Sequence, residues 1–201
     1  MMKNAAILFL TFAGVMCHAQ KVRLVEEAKG LEINAQAPLF EAINQFGEKV
    51  SLTEELKKGP VVLIFYRGEW CPVCSRYLSN LQDSLQYISA KGAQVLAVSP
   101  QKPEYLKKAA KKAESNFTLL HDAGYKIMDA YDVTFLPTEK QIRQYNNFLG
   151  ADLTTSQSDE SQVLPVPATF IISREEKIVW RQYNPDYKIR ASVQEMLEHI
   201  P

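Results

Sequence analysis

Pro60-Val61-Val62-Leu63-Ile64-Phe65-Tyr66-Arg67-Gly68-Glu69-Trp70-Cys71-Pro72-Val73-Cys74 carries a strand, a turn and the start of a helix in fifteen consecutive positions. Val61 to Tyr66 is an apolar run of β-branched and aromatic residues with no polar alternation, the pattern of a strand buried on both faces. After Arg67-Gly68-Glu69, the residues Tyr77, Leu78, Leu81, Leu85 and Ile88 recur at helical spacing. They predict a helix from Pro72 to about Ala90, stopped by Gly92. A second apolar strand, 94–99, leads through Pro100 and Pro103 into a helix ending near Ser115. Strand, helix, strand, helix implies a parallel sheet with crossover connections.

Outward from this unit the pattern turns antiparallel. On the N-terminal side, 39–44 and 50–52 read as a hairpin around Gln45-Phe46-Gly47-Glu48-Lys49, and Thr53-Glu54-Glu55-Leu56 opens a short helix that Lys58-Gly59-Pro60 ends. Residues 20–36 are a lead-in of short helix or extended chain, broken at Ala37-Pro38. On the C-terminal side, 117–120 is a short strand and Asp122 is placed to cap a helix over 124–131. From 133 to 164 only Ile142, Tyr145, Phe148 and Leu149 suggest a helical insert, which is either a lid near the site or a solvated excursion. Residues 166–172 and 177–182 form a second hairpin, and a final helix over 189–199 carries Val193, Met196, Leu197 and Ile200 on one face. The expected architecture is one α/β domain over 37–200, a central mixed sheet flanked by helices with an N-terminal hairpin extension.

The 201 residues, 46% of them hydrophobic, suffice for one ordinary core, and 23 basic against 23 acidic side chains leave no electrostatic footprint for nucleic acid. The lysines 107, 108, 111 and 112 therefore read as a solvated helix face. Residues 1–19 read as a signal peptide, with Lys3, an apolar stretch from Ala5 to Met16 and small Ala19 before the cut. That stretch falls short of the roughly 20 residues a membrane span needs. The expected location is secreted or periplasmic. A lipid tether on Cys17 is disfavoured because Val15-Met16 lacks the small residue such processing uses.

Cleavage removes Cys17 and leaves Cys71 and Cys74, which can pair only with each other or with a partner. A bridge over so short a loop adds little stability, so chemistry explains the pair better. At a helix N-terminus, unsatisfied N–H groups and the dipole favour a thiolate. Pro72 suits the first helical position, which makes Cys71 the cap residue with Cys74 three positions on. Cys71, at the open end, would attack a disulfide and Cys74 would resolve it, with Trp70 shielding both. Zinc is disfavoured because it takes four ligands, and His121 and His199 are the only histidines of the mature chain. Arg67 is either a donor to the thiolate or a partner of Glu69 or another carboxylate. Pro167 stands either at an edge or first position of its strand, or after a cis peptide beside the cysteines.

Residues 65–74, then Val98-Ser99-Pro100-Gln101, then 166–172, and later Asn184-Pro185-Asp186-Tyr187-Lys188-Ile189-Arg190, resemble the peroxiredoxin-like branch of the AhpC/TSA (alkyl hydroperoxide reductase/thiol-specific antioxidant) family. The resemblance covers about 37–197 and implies a thioredoxin fold. The family's Pro-x-x-x-Thr-x-x-Cys motif places its proline at Arg67, its threonine at Cys71 and its peroxidatic cysteine at Cys74, so only the cysteine matches. Its peroxide-site arginine falls on Pro167, which resembles the thioredoxin cis-proline instead. By one likeness Cys71 attacks; by the other, Cys74 does.

The leading expectation is an extracytoplasmic thiol-disulfide oxidoreductase cycling a Cys71–Cys74 disulfide, in an antioxidant or redox-maintenance role. The alternative is a thiol-dependent peroxidase in which Cys74 forms a sulfenic acid that Cys71 resolves. A third reading is a protein-binding module with a structural disulfide. Either enzyme acts on protein thiols and disulfides or on peroxides, needs a thiol reductant such as a thioredoxin-like protein, and uses no cofactor or metal, since two cysteines hold two electrons.

Overall fold

The computed structural model describes residues 23–201. The expected leader 1–19 and Cys17 lie outside the described residues. In chain order the elements are β1 (Glu41–Asn44), β2 (Lys49–Ser51), α1 (Leu52–Lys58), β3 (Val61–Phe65), α2 (Pro72–Asp83), α3 (Leu85–Ala90), β4 (Gln94–Ser99), α4 (Pro103–Ala113) and β5 (Thr118–His121). There follow α5 (Lys126–Ala130), β6 (Thr134–Phe135), α6 (Glu139–Leu149), α7 (Leu153–Ser156), β7 (Leu164–Pro165), β8 (Ala168–Ile172), β9 (Ile178–Tyr183) and α8 (Val193–His199).

Seven strands form one mixed sheet in the order β2-β1-β5-β4-β3-β8-β9. The parallel centre is β3 against β4 (Val61↔Gln94 to Phe65↔Val98) and β4 against β5. β8 runs antiparallel to β3 and pairs onward with β9, while the hairpin β1–β2 joins the other side through β5. This is the mixed sheet expected from the sequence, with its N-terminal extension.

Every residue of β3 is buried, because strand geometry sends successive side chains to opposite faces and both faces are covered. Val62, Ile64 and Tyr66 pack beside Leu78 and Leu81 of α2, Leu106 of α4 and Met196 of α8. Val61, Leu63 and Phe65 face Leu52 and Leu56 of α1, Ile127 and Met128 of α5, and Tyr131. At about 1.5–3 kcal/mol for each large apolar side chain buried, this central strand anchors both layers. It also fixes where the chain leaves the sheet at Arg67.

Several boundaries differ from expectation. The helix after Cys71 is two helices, broken at Ser84 (φ −106°, ψ 3°), whose N–H turns back to the carbonyls of Leu81 and Gln82. Serine competes for local backbone hydrogen bonds and is a weak helix-interior residue. Asp122 does satisfy a helix start, but across a short 3-10 turn: its carboxylate accepts from the Ile127 and Met128 N–H groups at 2.9 and 2.7 Å. The insert holds a two-stranded ribbon, β6 with β7, that the polar sequence hides. The final helix starts at Val193 rather than near Ile189, on a capping box of Ser192 and Glu195.

The lead-in forms no helix from residue 23 on; it runs through turns at 25–27 and 33–34 and is strapped down. Arg181 of β9 donates to the carbonyls of Lys29, Gly30 and Leu31 at 2.9–3.1 Å and to Glu32 at 2.8 Å. Among the described residues no helix is long and apolar enough to cross a membrane.

At Gly59, just before β3, a Cβ would lie 1.9 Å from the carbonyl oxygen of Gly92. Since that neighbour is backbone and cannot swing aside, Gly59→Ala is expected to destabilise the protein by about 1–3 kcal/mol. A urea-unfolding midpoint equal to wild type would refute this close approach.

Candidate active site

Past the end of β3 the chain turns through Arg67, Gly68 and Glu69 and enters α2. Gly68 is needed for a close approach: a Cβ there would stand 2.5 Å from Trp70 Nε1 and 2.8 Å from Gln101 Oε1. Its absence lets the indole fold back over the turn, where the Gln101 side chain accepts from the Glu69 N–H at 2.7 Å. Cys71 is the N-cap, with extended backbone, and Pro72 follows at the first helical position. The Cys71 Sγ accepts from the Cys74 N–H at 3.3 Å, satisfying a donor left free by the helix start. These are the positions the spacing predicts for Cys71, Pro72 and Cys74.

The two sulfurs are free thiols 2.7 Å apart, and both residues are 0% exposed. Trp70 is buried in the same cluster as the two cysteines, and the Tyr145 ring of α6 lies 5.1 Å from its indole, centroid to centroid. The insert thus reaches the site through Tyr145, beside Trp70 and Arg67, while Phe148 on the same helix is 82% exposed.

Arg67 departs from the carboxylate pairing considered for it. Its Nη2 donates to Cys71 Sγ at 3.0 Å, and the side chain is buried, with its guanidinium 3.8 Å from the Tyr187 ring centroid, 5.1 Å from Trp70 and 5.2 Å from Tyr145. Glu69 is paired with Lys112 instead. Each aromatic face attracts a desolvated cation by as much as about 2 kcal/mol, so the cage holds Arg67 without an anion competing for it.

A second cation escaped the sequence reading. Arg190, between β9 and α8, donates from Nη2 to Cys74 Sγ at 3.4 Å and from Nε to the Tyr187 carbonyl at 2.7 Å. Its guanidinium lies 5.5 Å from the Tyr77 ring centroid. The motif at 184–190 was the available signal, but nothing local in it aims Arg190 at a cysteine 116 positions earlier. Pro167 is buried immediately before β8, and every peptide bond among the described residues is trans. The cis placement is therefore overturned, and Pro167 is not at an edge or within the strand but one residue before β8, where it removes no donor from the ladder. Nearby, the Thr169 hydroxyl lies 3.3 Å from that of Tyr77 on α2.

The electrostatics separate the sulfurs. Burial works against a Cys74 thiolate, but the hydrogen bond with Cys71 and the charges of Arg190 and Arg67 outweigh it and hold the thiol well below its ordinary range. Cys71 is pushed up, first because its proton is held in that hydrogen bond, then by burial and by repulsion from Cys74, with Arg67 opposing. Two thiolates 2.7 Å apart would repel strongly, so one proton stays between the sulfurs. Of the two sulfurs, Cys74 is the one the surrounding charges hold toward the thiolate. A groove of about 430 Å³, lined by Leu39, Ile43, His121 and Tyr131 among others, includes none of these site residues.

For Cys74 the folded value lies below the unfolded one, so its contribution to stability is complete above about pH 8.5 and is lost as pH falls through the folded value. For Cys71 the sign reverses: its contribution is complete below about pH 8.5 and is lost as pH rises through the folded value. Absorbance of the reduced protein at 240 nm should show one thiolate at neutral pH that Cys74→Ser abolishes and that Arg190→Gln shifts to higher pH. A neutral-pH thiolate that survives in Cys74→Ser and vanishes in Cys71→Ser would reverse the assignment.

Residues 33–181 match the AhpC/TSA family. Curated relatives include peroxiredoxin Bcp of Escherichia coli K12, 34% identical over 97 residues, covering 48% of this chain and 62% of that protein. Chloroplastic peroxiredoxin Q of Gentiana triflora is 38% identical over 96 residues, covering 48% of this chain and 44% of that protein. The chain spans less than two thirds of the length of the curated relatives it matches. Among solved structures, peroxidoxin BcpB of Mycobacterium tuberculosis superposes with a TM-score of 0.66 at 18% identity, covering 85% of this chain and 96% of that one. A peroxiredoxin-like protein of Aquifex aeolicus gives 0.66 at 19%, covering 89% and 90%.

Proposed function

Since the chain belongs to the AhpC/TSA family, we propose that it is a thiol-dependent peroxidase in which Cys74 attacks the peroxide and Cys71 resolves the product. The observation that carries this reading is the complete burial of both cysteines, in a cluster that includes Trp70 and its Tyr145 neighbour. A protein disulfide must be approached in line by the attacking sulfur, which such burial prevents. A peroxide needs only a small opening. The disulfide-exchange reading placed first from the sequence, which needs an accessible Cys71, is therefore less well supported than its alternative, and the named relatives are peroxiredoxins.

In the first step the Cys74 thiolate attacks the terminal oxygen of the peroxide. A sulfur–oxygen bond forms, the oxygen–oxygen bond breaks, and the leaving alkoxide or hydroxide takes a proton. Sulfur is oxidised by two electrons to the sulfenic state and the peroxide is reduced to an alcohol or water. Buried cations beside the reacting atoms stabilise the charge that develops on the departing oxygen without reorganising, which is where such groups have most effect. In the second step Cys71 attacks the sulfenic sulfur, the disulfide forms and water leaves. A dithiol reductant of the thioredoxin type then restores both thiols. The leader-like character of residues 1–19 supports a cycle outside the cytoplasm.

Stopped-flow oxidation of the reduced protein, followed by Trp fluorescence, tests the reading. Fast oxidation by hydrogen peroxide should persist in Cys71→Ser and fall by at least about a thousandfold in Cys74→Ser, while a protein disulfide should react slowly. Slow peroxide oxidation alongside rapid, Cys71-dependent disulfide exchange would restore the other reading.

A further inference from the structure

Each sulfur has its own arginine. Nη2 of Arg190 lies 3.4 Å from Cys74 Sγ, and Nη2 of Arg67 lies 3.0 Å from Cys71 Sγ. We propose that the two cations divide the two chemical steps: Arg190 serves the Cys74 thiolate that meets the peroxide, and Arg67 serves the Cys71 thiolate that resolves the sulfenic acid. This rests on the peroxidase reading and extends it to a catalytic residue for the second step.

Before oxidation, Cys71 has little need of a cation. It bears the proton of the pair, held by its hydrogen bond with Cys74 and by repulsion from that thiolate. Even so, the nearer guanidinium contact in the site is made to Cys71. Arg67 is 2% exposed and lies against Tyr187, Trp70 and Tyr145; its guanidinium donates to Cys71, while Cys74 feels its charge and its backbone N–H. A buried guanidinium is costly unless something answers its charge.

The contact gains its purpose once Cys74 has been oxidised. The sulfenic acid is neutral, so the repulsion and the strong hydrogen bond that kept the proton on Cys71 are gone, while the positive charge of Arg67 remains in place. The Cys71 proton leaves, its sulfur attacks the sulfenic sulfur, and the displaced hydroxide takes up a proton and departs as water. No electrons enter from outside: the disulfide retains the two-electron oxidation made in the first step. Arg190 is tied to the Tyr187 carbonyl beside Cys74 and so acts where the peroxide arrives. Tyr187 joins the two halves, its ring beneath Arg67 and its carbonyl on Arg190.

The test is rapid mixing of the reduced protein with hydrogen peroxide, separating a phase that scales with peroxide from a later one that does not. Arg67→Gln should slow the later phase about tenfold or more, and by a clearly larger factor than the earlier one, to which its charge also contributes. Arg67→Lys should recover part of the loss, and Arg190→Gln should slow the earlier phase instead. In Cys74→Ser, the Cys71 thiolate absorbance at 240 nm should move to higher pH when Arg67→Gln is added. Equal slowing of both phases by Arg67→Gln, or an unaltered later phase, would overturn the division. A wild type without a fast peroxide phase would overturn the peroxidase reading and the division with it. That outcome is recognisable because the Cys71 titration requires no peroxide and still reports whether Arg67 acts on Cys71.

Discussion

A guanidinium buried in a protein must be held by something, and in this chain the means of holding Arg67 organises everything around the sulfurs. Tyr187, Trp70 and Tyr145 offer ring faces and Cys71 offers its sulfur, so the charge is stabilised without a carboxylate to quench it. Those partners come from three places: the turn after β3, the α6 insert, and the segment between β9 and α8. The buried strand β3 fixes the first, and the cage gathers the others onto it. The insert, a pair of thiols and two cations are therefore one packing unit.

The central sheet is legible in the sequence because burial on both faces demands an unbroken apolar run, and β3 and β4 each show one. The Cys71 cap and Pro72 are legible for a local reason, since helix-start chemistry depends on residues a few positions apart. What escapes is non-local. Tyr145 lies on a helix with no fully buried residue, so no periodic apolar stripe advertises its contact with Trp70. Arg190 reaches Cys74 only because β9 returns the chain to the same side of the sheet. The choice between Cys71 and Cys74 was open for the same reason, because it depends on where the two cations lie.

The site also shows how a family scaffold admits a different constellation. Where the resemblance places a proline and a threonine, this chain has Arg67 and Cys71, and the two changes are in contact, 3.0 Å apart. Where it places an arginine, the chain has Pro167, and a cation reaches Cys74 from Arg190 instead. Positive charge beside Cys74 is retained although its source in the sequence has moved. Homology over the fold therefore says less about this site than the charges around each sulfur do.

The separation of the two sulfurs has a further meaning for damage. On the proposed chemistry, a sulfenic acid on Cys74 faces two competitors, a second peroxide molecule that would carry it irreversibly to sulfinic acid, and the neighbouring thiol. A peroxide must diffuse in at whatever concentration the surroundings supply. Cys71 is already in contact with Cys74, and a reactant held beside its partner has a large advantage over one that must diffuse in. On that chemistry, proximity favours the thiol. A peroxidase built this way goes on consuming oxidant at doses that would silence one whose resolving thiol must travel, which suits it to bulk disposal of peroxide more than to sensing it.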